Sequence, residues 1–151
     1  MTIRLANNSG NGSAVTIVGG TGSGSITGGS GNDLLIGGTG ADTLVGGSGT
    51  NALRAGSGNQ LLMGGSGPTK IKVTSSSALD TIIAGTGNAT VFADNGPDSI
   101  DGSAGSDNII YAQSGLATVI GATGSNGMDT IYALDGDNIT PGSRDLVIYP
   151  P

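Results

Sequence analysis

The sequence predicts an all-β chain, wound as a parallel β-roll or β-solenoid with two short-stranded sheets and about two nonapeptide repeats per coil. Three observations carry this: a nine-residue beat, one aliphatic column that keeps the beat, and glycine filling the gaps. The column runs Ile17, Ile26, Leu35, Leu44, Leu53, Leu62, Ile71, Ile82, Val91, Ile100, Ile109, Val119, Ile131, Ile139 and Val147. Its first six steps are nine residues each, and later ones vary from 8 to 12. Nine is a poor match to the 3.6-residue helical period over many turns. With 31 glycines in 151 residues, a helix is excluded on propensity as well.

Each unit reads as a short strand followed by a tight glycine turn. Strand side chains alternate, so the column residue points inward and its two neighbours point out. The GG-x-G segment reverses the chain, where glycine supplies positive φ. Two units close a coil, and about eight coils stacked at roughly 4.8 Å give a prism on the order of 40 Å long. Burial then accumulates along the axis, as in other solenoids.

A single domain is expected over 1–151, in four stretches. Residues 1–18 form an irregular N-terminal coil, with strands at Thr2-Ile3-Arg4-Leu5 and Ala14-Val15-Thr16-Ile17-Val18. Residues 19–72 are regular, among them GGSGNDLLI at 28–36 and GGTGADTLV at 37–45. Residues 73–147 are degenerate repeats, such as AGTGNATVF at 84–92 and GSAGSDNII at 102–110. Residues 148–151 end the chain as a cap, where Pro150 and Pro151 cannot donate to a ladder.

Composition narrows the chemistry. There is no Cys, His or Trp, and all eleven acids are Asp. Disulfides, Cys/His zinc sites and histidine acid–base catalysis are excluded. A net charge of −6 with five scattered bases argues against a nucleic-acid partner. No apolar run is long enough to span a membrane, and the first residues show no cleavable signal peptide. Sequons begin at Asn7, Asn11, Asn88 and Asn138, a pattern expected by chance in so Asn/Ser/Thr-rich a chain. Asp94, Asp98 and Asp101 could form a glycosidase-like carboxylate pair, but turn acids or a calcium site suit them better. An enzyme is not expected.

The acids hold a register that solubilising charges would not. Eight sit two residues before a column aliphatic: Asp33, Asp42, Asp80, Asp98, Asp107, Asp129, Asp137 and Asp145. That position follows the turn, where carboxylates and carbonyls converge as hard oxygen donors suited to Ca2+. GGSGNDLLI and GGTGADTLV resemble the GGxGxDxUx nonapeptide of the RTX calcium-binding β-roll family. The resemblance is strong over 19–72 and looser over 84–147. It implies Ca2+ between stacked turns, type I secretion and an extracellular or cell-surface setting.

The repeats also depart from that pattern. Turns on one edge are two units apart, so one edge carries Gly24, Asp42, Gln60, Asp80, Asp98, Ala117 and Asp137. The other carries Asp33, Asn51, Thr69, Ala89, Asp107, Asp129 and Asp145. Only Asp80/Asp98 and the run Asp107/Asp129/Asp145 stack acid on acid. The turn before Asp80 lacks its glycines, and the one before Asp129 carries the insertion Ser125-Asn126-Gly127-Met128. The metal candidates are therefore Asp33, Asp42, Asp80, Asp98, Asp107, Asp129 and Asp145, with few and weak Ca2+ ions in a roll that also folds without them. Asn51, Gln60 and Thr69 are expected to satisfy turn amides by side-chain hydrogen bonds instead.

Outward positions carry Ile36, Met63, Ile83, Phe92, Ile110, Ile120 and Tyr132, rows that suit a buried contact. The expected function is a self-associating structural or surface protein, a homo-oligomer or filament of S-layer or adhesin type, in which a host or matrix surface is another partner. The alternative is a calcium-binding accessory module that aids folding and secretion of a toxin, hydrolase or adhesin. An ice-binding surface is a minor one, since the Thr43, Thr81 and Thr118 row is interrupted.

Overall fold

The computed structural model describes residues 2–4, 12–74, 78–94, 96–123 and 127–151. The sequons at Asn7 and Asn11, the glycine-free residues 75–77, and residues 124–126 with the first half of the insertion lie outside the described residues.

Every regular element described is a β-strand: β1 (Thr2–Arg4), β2 (Thr16–Val18), β3 (Ser25–Gly29), β4 (Leu34–Ile36), β5 (Thr43–Gly47), β6 (Asn51–Arg54), β7 (Leu61–Gly65), β8 (Thr69–Val73), β9 (Thr81–Ile83), β10 (Ala89–Ala93), β11 (Ser99–Asp101), β12 (Ile109–Ala112), β13 (Thr118–Ile120), β14 (Thr130–Tyr132), β15 (Asn138–Thr140) and β16 (Leu146–Ile148). The odd strands form one eight-stranded sheet and the even strands the other, each in simple sequence order. All pairings are parallel, and the winding makes about seven turns of a β-solenoid. No helix is long and apolar enough to cross a membrane among the described residues.

The registers place column on column: Ile26, Leu44, Leu62, Ile82, Ile100 and Val119 in the odd sheet, and Leu35, Leu53, Ile71, Val91 and Ile131 in the even sheet. They form one core cluster, with Ile17, Ile139 and Val147 partly buried at its ends. Each fully buried aliphatic stabilises the fold by about 2 kcal/mol. Burial alternates along each strand, as β8 illustrates: Thr69, Ile71 and Val73 inside, Lys70 and Lys72 outside.

One column assignment is corrected. Ile109 is 39 % exposed, whereas Ile110 is fully buried and pairs with Val91 and Ile131. The outward pair on this coil is therefore Ile109 and Tyr111, not Asn108 and Ile110. The cause is one additional residue in the preceding turn. Asp107 takes it up by adopting the left-handed conformation at φ 58, which Asp tolerates better than most residues.

Glycine works differently at the two places of each GG pair. The second glycine has positive φ at Gly47 and Gly65. The first needs space instead: a Cβ on Gly46 would overlap the Gly64 carbonyl oxygen of the next coil. The inward position two after the column is accordingly Gly or Ala from Gly19 to Ala133, with Val73 of the even sheet the one larger residue in that stretch.

Candidate metal centre

The residue two before the column stands at or just before the start of each strand and turns its side chain toward the coil stack. Asp33, Asp42, Asn51, Gln60, Thr69, Asp80, Asp98, Asn108 and Asp129 are all buried there. Burial of so many polar groups requires partners, and those partners form a ladder along the axis. The side-chain oxygen of one coil accepts the backbone N–H at the equivalent position of the coil before it. On one edge Asp33 Oδ1 accepts from Val15 at 3.1 Å, and Asn51 Oδ1 from Asp33 at 2.9 Å. Farther along, Asn108 Oδ1 accepts from Ala89 at 2.9 Å, Asp129 Oδ1 from Asn108 at 2.8 Å, and Asp145 Oδ1 from Asp129 at 2.9 Å. On the opposite edge Asp80 accepts from Gln60 at 2.6 Å, Asp98 from Asp80 at 3.1 Å and Asp137 from Ala117 at 2.8 Å. Where Thr69 and Ala89 stand, with no long acceptor, the amides of Asn51 and Thr69 turn to the carbonyls of Pro68 and Asn88.

The second carboxylate oxygen closes the residue's own turn. Asp42 Oδ2 accepts from Gly38 N–H at 2.7 Å, Asp145 Oδ2 from Gly142 at 2.7 Å and Asp137 Oδ2 from Leu134 at 2.9 Å. At the turns Asn51, Gln60 and Thr69 donate to carbonyls rather than accepting from turn amides as expected: Asn51 to Gly49, Gln60 to Gly40, and Thr69 to Gly64 and Gly67.

Asp107 is off the ladder. It is exposed, and it accepts a long 3.4 Å bond from Met128 N–H. Asn108 occupies the position expected for it, so the run of three stacked acids reduces to Asp129 and Asp145. That pair is satisfied: Asn108 Nδ2 reaches Asp129 Oδ2 at 3.3 Å, and Asp145 uses both oxygens. Burial still pushes the Asp129 carboxyl above its usual range, offset in part by the Asn108 bonds. Asn108 was missed because Asp-Asn-Ile-Ile reads equally well in two registers.

Asp80 and Asp98 differ. Among the described residues, Asp80 Oδ2, Asp98 Oδ2 and Gln60 Oε1 are buried without a hydrogen-bond partner, on three consecutive coils of one edge. Burial raises the Asp80 carboxyl, and it pushes Asp98 up to about 6, with the Asp80 and Asp94 charges adding to the effect. Two stacked carboxyls, each with its second oxygen buried and unpartnered among the described residues, call for a proton or a cation. The unpartnered atoms are all hard oxygens, the donor type Ca2+ takes. Among the described residues no three acids converge on one point, so a cation here would draw on amide and carbonyl oxygens as well.

A two-sheet parallel solenoid with acids stacked at its turns defines the class, a β-roll of the calcium-binding kind. The family model of the RTX calcium-binding nonapeptide repeat matches residues 18–53, 83–113 and 123–139 in four copies, more than half of the chain. The chain belongs to that family. Its repeats are calcium-binding, generally non-catalytic and typical of secreted proteins. Neither the curated proteins nor the solved structures gave a match.

Proposed function

We propose that this chain is a non-enzymatic extracellular scaffold, a β-roll that self-associates and is stabilised in part by Ca2+. The observation that carries the calcium reading is the set of buried oxygens at Gln60, Asp80 and Asp98 that find no partner among the described residues. Asp80 and Asp98 would hold the ion with the Gln60 amide oxygen, and Ca2+ would supply the charge that their burial leaves unbalanced. Elsewhere the side-chain ladder bonds coil to coil without metal, which supports a fold that persists when calcium is removed. Apolar outward residues, among them Val45, Met63, Ile83, Phe92 and Ile120, support self-association, because repeated apolar rows on a flat face gain by being covered.

Sedimentation velocity across protein concentration, with calcium and with chelator, tests this reading. Species that grow with concentration in both conditions support it. A monomer throughout would remove the assembly, and a steep, cooperative calcium-driven folding transition would favour the accessory-module role instead.

A further inference from the structure

Resting on the self-association reading, the two outer faces identify how copies meet. Five bases occur in the whole chain, and three of them, Arg54, Lys70 and Lys72, stand together on the outer face of the even sheet. Arg54 and Lys72 are direct register neighbours in one outward column. Like charges so placed destabilise a sheet. Among the described residues neither meets a carboxylate, while Lys70 is held over the Phe92 ring at 5.1 Å. Ala52 is the small register partner of Lys70, and with Leu53 and the three cations it lines a shallow depression of about 200 Å³.

The same column continues as an apolar ladder. Phe92 stacks on Tyr111 at 4.8 Å and Tyr111 on Tyr132 at 4.7 Å, with the rings nearly parallel. Rings stacked face to face present their edges outward, so they form a raised ridge rather than a platform for a flat ligand. The outward column of the odd sheet is its counterpart. It reads Val45, Met63, Ile83, Asp101 and Ile120, three aliphatics and then one acid. Asp101 is the only acid in a strand of the odd sheet.

We infer that the even-sheet face of one copy docks on the odd-sheet face of a second copy, with the solenoid axes antiparallel. Asp101 then enters the depression that Arg54, Lys70 and Lys72 line, opposite Lys72. From that point Ile83, Met63 and Val45 run opposite Phe92, Tyr111 and Tyr132, coil for coil. Both faces share the roughly 4.8 Å rise of parallel strands, so the rows stay in step. Apolar rows alone would allow slippage by whole coils, and the charge interruption fixes one setting. The contact uses a different patch on each partner, so it is open-ended and builds a stack rather than a closed dimer. Seven steps of roughly 4.8 Å and a width of about 10 Å give a face of about 340 Å². That is below the roughly 800 Å² per side of a standard interface, so each contact is weak and salt-sensitive.

The test uses the full chain in sedimentation velocity at 20 and 500 mM salt, with folding of each variant checked by circular dichroism. The variants are Arg54→Glu/Lys72→Glu and Asp101→Lys. Wild-type association is expected to weaken at least about ten-fold in high salt and in either variant alone. Mixing the two variants restores it, because each then offers a complementary face to the other. Wild-type association that ignores salt and both variants would overturn this arrangement while leaving assembly intact. A mixture that stays monomeric would also overturn it. A wild type that never associates would remove the reading beneath it.

Discussion

At the level of single residues, the ladder position decides what each acid does. Asn108 accepts from Ala89 and bonds Asp129 twice, while Asp107 beside it is exposed. Asn108→Ala strands buried groups and is expected to cost about 2–4 kcal/mol in urea unfolding, whereas Asp107→Asn should change stability by less than about 0.5 kcal/mol. Equal effects would contradict the register. Asp98 supplies the pH dependence. Its folded-state value of about 6 lies above the usual 3.8, so the folded chain holds a proton that the unfolded chain has released between those values. Without calcium, that contribution to stability falls as pH rises from about 4 to 6, on the order of 3 kcal/mol in total. Chemical unfolding in chelator at pH 5 and pH 7 checks the sign: the chain should be more stable at pH 5. Asp98→Asn should flatten that dependence and raise stability at pH 7. The acids' register was readable in the sequence, because two residues before an aliphatic is a visible spacing. Which acids lack partners was not, since that depends on whether each turn offers an N–H to the second oxygen.

Among the strands and turns, the nine-residue beat gave the strands, their alternation and their pairing, because a parallel ladder and a short turn admit little else at that spacing. It failed only where two isoleucines followed Asp-Asn and the turn gained a residue. The inward glycines were readable as turn formers but not as spacers, since the close approach of the next coil is a tertiary fact. Gly46→Ala should therefore destabilise by about 3 kcal/mol or more, although its φ is compatible with alanine. Gly22→Ala, where nothing described lies within 4 Å, should be tolerated within about 0.5 kcal/mol. Thermal unfolding of the two variants separates steric packing from backbone freedom.

Over the whole molecule, stability comes from one aliphatic spine and from side-chain ladders along both edges, and one segment of one edge is left short of charge balance. On the function proposed above, calcium supplements the fold rather than being its precondition. The sequence showed few acid-on-acid steps but could not separate the satisfied pair Asp129/Asp145 from the unsatisfied pair Asp80/Asp98. A calorimetric scan of the wild type and Asp98→Asn, each with calcium and with chelator, tests this most directly. One site filled at a hundred times its dissociation constant adds about 2.7 kcal/mol. In a chain of this size that raises the wild-type midpoint by about 5–10 °C. The account predicts that rise in the wild type, a folded chain in chelator and almost no rise in the variant. A wild type indifferent to calcium, or one wholly unfolded without it, would contradict it.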